Sequence, residues 1–149
     1  MLFSEFDRLS IEFGLEKIKT IGDAYMVAGG LASADSDHAS AVARMALGMV
    51  DVSRSTSELL GLPLQLRIGI HTGPVVAGII GTHRFIFYVW GDTVYTASRI
   101  ESNGVANEIN VTQALYDRLR DTFMFQPRGS IEVPGKGMLQ AFFLRGPRS

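Results

Sequence analysis

The stretch KIKTIGDAYM, residues 17–26, places two apolar, strand-like runs on either side of Gly22-Asp23. The alternation in EKIKTI (16–21) predicts one strand, AYMVAGG (24–30) predicts a second, and the Gly-Asp pair predicts a hairpin turn between them. A carboxylate at such a turn is a candidate metal ligand, but hard divalent cations need several oxygen ligands. Asp23 therefore raises the question of where a second acidic partner lies.

Helices and strands alternate on both sides of this hairpin. Apolar residues at helical spacing predict a helix over residues 1–13, and a second helix begins at an Asp35 or Ser36 cap and runs to about Leu60. The remaining segments predict strands in 62–73, 75–81, 84–92 and 108–112, helices in 93–104 and 113–123, and a final hairpin over 129–145 that turns at 134–137. Because hairpins interrupt the alternation, we expect an α+β sandwich with helices on one sheet face, in a single domain spanning 1–149.

Composition narrows the functional classes. The chain has 149 residues, 46% hydrophobic and 19% charged, which is typical of one globular domain. A net charge of −1 gives no field that would recruit nucleic acid or an anionic membrane, and the absence of cysteine excludes disulfides and thiolate metal sites. No apolar run reaches the ~18 residues that a membrane span needs, so we expect a cytoplasmic protein.

Four motifs then carry a family resemblance: KIKTIGDAYM, LRIGIHTGPVVAGIIG, VWGDTVYTASRIESNG and RGSIEVPGKG. In this order they resemble the catalytic domain of class III nucleotidyl cyclases, the adenylate and guanylate cyclase family. The resemblance implies a ferredoxin-like α/β sandwich and a dimer with active sites at the subunit interface. It implies cyclisation of ATP or GTP to the 3′,5′-monophosphate, with release of pyrophosphate and two divalent ions, Mg²⁺ or Mn²⁺, as cofactors.

The metal ligands implied by the resemblance are two aspartates, and Asp23 corresponds to the second. The first belongs to a strand pattern like F-x-D-I-x-x-F-T, upstream of the helix with which this sequence opens. The resemblance therefore implies a sandwich lacking its first core strand and one metal aspartate. The alternative interpretation of Asp23 is an ordinary turn residue.

Two positions correspond to the family's purine-binding residues. Lys19 stands where adenylate cyclases carry the lysine that donates to adenine, whereas guanylate cyclases carry glutamate. Tyr88 stands where adenylate cyclases carry aspartate; a phenol can still accept from the adenine amino group, but it is larger and neutral. The resemblance thus favours ATP at Lys19 and leaves Tyr88 open as an ordinary strand aromatic.

The motif TVYTASR departs from the family pattern T-V-N-x-A-S-R at Tyr95, where the family places the asparagine that positions the ribose. Arg99, which corresponds to the arginine that stabilises the transition state, is retained four residues later on the same helix face. Loss of a positioning group costs orders of magnitude in rate, because alignment supplies much of the barrier reduction. Arg99 could instead pair with Glu101 as a surface residue.

Two further cations correspond to family phosphate contacts. Lys136 lies in the PGKG turn, although the usual lysine position is occupied by Pro134, and Arg67 lies in LRIGIHTG. Ordinary alternatives are a solvated turn lysine and a strand arginine that reaches solvent. The sequence therefore leaves two hypotheses: an adenylate cyclase with weak or absent turnover, or a degenerate domain that binds a partner or nucleotide.

Overall fold

The computed structural model describes residues 2–21, 24–30, 37–74, 76–80 and 86–148. The described helices are α1 (Leu2–Glu12), α2 (His38–Leu60), α3 (Asp92–Ser102) and α4 (Gln113–Leu119). The described strands are β1 (Glu16–Ile21), β2 (Ala24–Ala28), β3 (Ile68–Ile70), β4 (Val76–Ile80), β5 (Ile86–Trp90), β6 (Ile109–Thr112), β7 (Phe123–Val133) and β8 (Gly137–Pro147).

The first hairpin is confirmed. β1 and β2 pair antiparallel, with Ile21 opposite Ala24 at the end next to the turn, and the register shifts between Lys17 and Lys19. The turn itself, including Asp23, lies outside the described residues. The hairpin thus fixes the backbone position of Lys19.

Four strands form a mixed sheet in the order β3-β6-β8-β7, with β3 parallel to β6 and the other neighbours antiparallel. β4 and β5 form a separate antiparallel pair. This mixture of hairpins and a parallel crossover confirms the α+β prediction.

The long helix begins later than predicted. Asp37 is the N-cap residue, and its carboxylate accepts from the backbone nitrogen of Ser40 at 3.2 Å, whereas residues 35 and 36 lie outside the described part of the chain. Asp37 suits the cap position because its carboxylate satisfies the backbone N–H of Ser40, which has no carbonyl partner in the first helical turn. Gly61 ends the helix in the left-handed conformation, with φ of 66°.

The prediction that helices cover one sheet face is wrong, because the four-stranded sheet is covered on both. Ile109 and Val111 of β6 pack against Ala43 of α2, while the intervening Asn110 donates from Nδ2 to the carbonyl of Ile100 in α3 at 3.0 Å. Alternate residues of a strand point to opposite faces, so α2 and α4 lie on one face and α3 on the other. All four residues of β6 are consequently buried.

A second core lies where α1 packs against α2 and the first hairpin. Phe6 of α1 is fully buried there, with Leu9 and Met45, and Tyr25 of β2 packs on the same cluster. The Tyr25 hydroxyl donates to Asp7 Oδ1 at 2.5 Å, which fastens the hairpin to α1. Among the described helices, none is long and apolar enough to cross a membrane.

Candidate active site

The candidate site is organised around the first two turns of α3. Gly91, with φ of 119°, turns the chain from β5 into the helix in a conformation that favours glycine. Thr93 donates from Oγ1 to the carbonyl of Pro74 at 2.5 Å. A Cβ added at Gly73 would lie 2.7 Å from the same Thr93 Oγ1. The loop before β4 therefore packs directly on one side of the helix start.

Tyr95 lies on the second turn of α3 and contacts the tip of the last hairpin. Its hydroxyl donates to the carbonyl of Pro134 at 2.8 Å, and the residue remains 40% exposed. The side chain that replaces the family's ribose-positioning asparagine is thus bonded to the backbone of its own chain.

Lys136 is at the same hairpin tip, between two glycines in the left-handed region, Gly135 at φ 83° and Gly137 at φ 81°. Its backbone nitrogen donates to the carbonyl of Val133 at 2.8 Å, and its ammonium forms an ion pair with Asp92 in the first turn of α3. The family resemblance implies a phosphate contact for Lys136 but no role for Asp92, whose only sequence signal is its position directly after Gly91.

His71 lies behind this ion pair at the end of β3. Its Nδ1 is 2.7 Å from Thr112 Oγ1. Burial lowers the pKa of His71, the nearby Lys136 ammonium lowers it further, and Asp92 opposes the shift. The imidazole is therefore held towards its neutral form, which suits a hydrogen bond inside the fold.

Arg99 is one helical turn beyond Tyr95, and its environment differs. Its Nε is buried and has no hydrogen-bond partner within the described residues. Its carbonyl accepts from both the backbone nitrogen of Asn103 at 3.0 Å and the side-chain Nδ2 at 2.8 Å. Because the spacing is i to i+4, Tyr95 and Arg99 lie on the same face of α3.

Arg67 is not brought to this group. It lies at the other end of α3, where its Nε is 3.5 Å from Glu101 Oε2 and its Nη1 donates to the carbonyl of Ser102 at 3.4 Å. Nine residues separate Asp92 from Glu101, which is about 13 Å along a helix axis. Arg67, and not Arg99, is thus the residue that pairs with Glu101, and any phosphate role for it remains a prediction.

For Lys19 and Tyr88, two of the remaining candidates, the structure gives the backbone position in a strand pair. Lys19 of β1 lies opposite Met26 in the first hairpin, and Tyr88 of β5 lies opposite Gly78 in the β4–β5 pair. Asp23 is outside the described ranges. Within the chain as described there is no group of three or more His, Asp or Glu side chains that could hold a metal ion. Those residues by themselves therefore do not fit a two-metal centre.

Comparison with known proteins identifies the class to which this fold and site belong. Residues 1–146 match the adenylate and guanylate cyclase catalytic domain family. The chain belongs to this family, as its motifs predicted, and its mixed α+β architecture is that of the family's solved members.

The relatives differ in the nucleotide that their names specify. The chain is 46% identical over 145 residues to an adenylate cyclase of Mycobacterium bovis, covering 97% of this chain and 33% of that protein. It is 44% identical over 145 residues to the human guanylate cyclase soluble subunit beta-2, covering 96% of this chain and 24% of that protein. The chain therefore spans a third or less of the length of these curated relatives.

A solved structure gives the same family assignment. The guanylate cyclase domain of RhGC from Catenaria anguillulae, in complex with GTP, superimposes with a TM-score of 0.88 at 33% identity, covering 99% of this chain and 81% of that one. Since both adenylate and guanylate cyclases match, overall similarity does not distinguish ATP from GTP. That choice rests on individual residues of the site.

Proposed function

We propose that this chain is an adenylate cyclase-type domain that binds ATP and converts it slowly to 3′,5′-cyclic AMP and pyrophosphate. The proposal rests on family membership together with the state of Arg99. A buried guanidinium nitrogen without a protein partner is costly to maintain, and it is expected where a ligand completes the hydrogen bonding.

The position of Arg99, like its Nε without a partner among the described residues, supports a role in binding phosphate. Arg99 shares a face of α3 with Tyr95, whose hydroxyl bonds to the hairpin tip that carries Lys136. A guanidinium carries its charge at all accessible pH values and presents several donors in a fixed plane, which suits the charge that develops on a phosphoryl oxygen. In the proposed reaction Arg99 binds and stabilises that charge.

The nucleotide assignment rests on Lys19. The proposal takes ATP because a lysine at this position donates to adenine, whereas Tyr88 offers only a neutral hydroxyl where the family's adenylate cyclases have a carboxylate. We also propose that the family's divalent cofactor, Mg²⁺ or Mn²⁺, has Asp23 as one of its ligands. We further propose that the chain acts as a dimer, either of two copies or with a related cyclase chain.

Slow turnover follows from Tyr95. A ring replaces a small amide at the position that would hold the ribose, and its hydroxyl is already bonded to Pro134. Misplacement of the attacking hydroxyl forfeits part of an alignment effect that can amount to several kcal/mol. We therefore expect binding to be retained better than rate.

The test is cyclic AMP formation from ATP with Mn²⁺, measured for the natural chain and single variants. Tyr95→Asn should raise kcat by at least about tenfold, because alignment restored at one contact is worth on the order of 1.4 kcal/mol or more. Arg99→Ala should abolish the product. Arg54→Ala is the matched control, since the Arg54 side chain is exposed on the outer face of α2 and its Nη1 lies 3.8 Å from Asp51 Oδ1.

The second candidate is a degenerate domain that binds nucleotide or a partner without turnover. One observation favours it: Tyr95 and Lys136 are both bonded within their own chain. Calorimetry would then detect ATP binding, or ultracentrifugation a dimer, while cyclic AMP stays undetectable even in Tyr95→Asn. Product formation by the natural chain would exclude this second function.

A further inference from the structure

The tip of the β7–β8 hairpin, residues 134–136, is held at two points by one helix face. Asp92 and Tyr95 are three residues apart on α3 and therefore lie side by side. Tyr95 bonds to the carbonyl of Pro134, and Asp92 pairs with the ammonium of Lys136. The two contacts thus secure both sides of a three-residue turn.

Among the described residues, the turn has one internal hydrogen bond, from the Lys136 nitrogen to the Val133 carbonyl, and its side-chain contacts are those with α3. A Cβ at Gly135 or Gly137 would meet no atom within 4 Å, so the tip projects beyond the packed part of the sheet. Both flanking residues are glycines at positive φ, and glycine restricts the backbone less than any other residue type because it has no Cβ. The position of Lys136 therefore depends on its contacts with α3.

The other side of the helix start is anchored independently. Thr93 bonds to the carbonyl of Pro74, so the helix does not move freely with the hairpin. Because the helix start is anchored and the turn projects from the sheet, the turn is the part that would move when the two contacts break.

We propose that Asp92 and Tyr95 form a clasp that closes the hairpin tip over α3 and keeps Lys136 bound to a carboxylate of its own chain. A phosphate-bearing ligand then competes with Asp92 for the ammonium, and its binding opens the clasp. This inference rests on the proposed function in taking a phosphate anion as the competitor. Asp92 and Tyr95 are positioning residues in this scheme and do not contact the reacting atoms.

The clasp also gives the tyrosine at position 95 a role of its own. An asparagine has a shorter side chain, whereas the phenol spans from the helix to the carbonyl of Pro134. The same substitution that removes the ribose contact thus supplies the second point of attachment. Tyr95→Asn is accordingly expected to open the clasp as well as to restore the amide.

Inorganic pyrophosphate, titrated calorimetrically in metal-free buffer, tests the competition without requiring catalysis. Asp92→Asn removes the competing charge at nearly constant volume, and an exposed ion pair worth up to about 1 kcal/mol corresponds to an affinity gain of up to about fivefold. Asp92→Asn combined with Lys136→Gln should lose that gain. Asp51→Asn, which changes the net charge by the same amount on the remote helix α2, should bind like the natural chain.

Amide hydrogen exchange tests the second point of attachment. Tyr95→Phe removes only the hydroxyl, and the amides of residues 135–137 should exchange several-fold faster, with the exchange of α2 unchanged. Unchanged exchange in the turn would overturn the role of Tyr95.

The proposal is also overturned if Asp92→Asn binds pyrophosphate no tighter, if Asp51→Asn gains as much, or if no variant binds at all. None of these readouts requires cyclic AMP. A chain without cyclase activity that nevertheless shows the Asp92→Asn gain would refute the proposed function and leave the clasp standing.

Discussion

The hydrogen bond from Tyr25 to Asp7 fixes the first hairpin, which carries Lys19, to helix α1. We predict that Tyr25→Phe destabilises the fold by about 1.5 kcal/mol at neutral pH. A bond to an ionised acceptor contributes about 1.5–3 kcal/mol, and the lower end applies because the Asp7 side chain is 44% exposed. The ring and its packing on Phe3 and Phe6, at centroid distances of 5.3 and 5.5 Å, are retained. For a domain of this size the loss corresponds to a Tm lower by about 4 °C.

The pH dependence of this loss identifies its cause. The bond from Tyr25 is the largest contribution that lowers the pKa of Asp7, with Lys17 adding to it. A carboxylate with a lowered folded-state pKa contributes stability that is present above its unfolded pKa, near 3.9, and is lost as the pH falls through the folded pKa. The gap between the natural chain and Tyr25→Phe should therefore shrink in acid.

Urea unfolding at neutral pH and at several acidic pH values measures both effects. Tyr116→Phe is the control, because it removes a hydroxyl from a ring that stacks on Phe142 in the other core. Equal midpoints for Tyr25→Phe and the natural chain at neutral pH would refute the reasoning. A gap that stays constant in acid would show that packing, and not the charged acceptor, is responsible.

Two further predictions concern the seating of α3 and the histidine behind its ion pair. At Gly69, a Cβ would lie 2.7 Å from the Cα of Glu101, so Gly69→Ala should cost about 1–3 kcal/mol by displacing α3, whereas Gly48→Ala, 3.4 Å from the flexible Leu9 side chain, should be neutral or stabilising in the same thermal melt. Because the pKa of His71 is lowered, the unfolded chain binds the proton more readily. Stability should fall as the pH drops below about 6.5, the unfolded pKa. His71→Gln, which can still bond to Thr112, should flatten that slope, and an unchanged slope would contradict it.

Local patterns carried much of the fold and the family assignment. The alternation in 16–21 and the Gly-Asp turn predicted the β1–β2 hairpin, and the pairing of Ile21 with Ala24 confirms it. The helical spacing of apolar residues on α2 predicts a buried stripe of Ala39, Val42, Ala43, Ala46, Leu47 and Val50. The three alanines are buried, and the three larger side chains are partly buried against the same core. These features could be read from sequence because they depend on neighbours within a turn or two.

Predictions that depended on layer arrangement were less successful. Placing all helices on one sheet face overlooked that β6 is buried along its whole length, with α3 behind Asn110. A short buried strand shows no alternation from which its two covered faces could be inferred. Sequence spacing alone did not indicate which side each helix would take.

The sequence by itself determined that this chain is a nucleotidyl cyclase domain, that it keeps Arg99, and that tyrosine replaces asparagine at position 95. Only the tertiary structure decided what those side chains touch: Tyr95 bonds to Pro134 and Lys136 pairs with Asp92, across 39 and 44 residues of chain. Such contacts are set by how a hairpin and a helix that are distant in sequence pack together, and no local pattern encodes that packing.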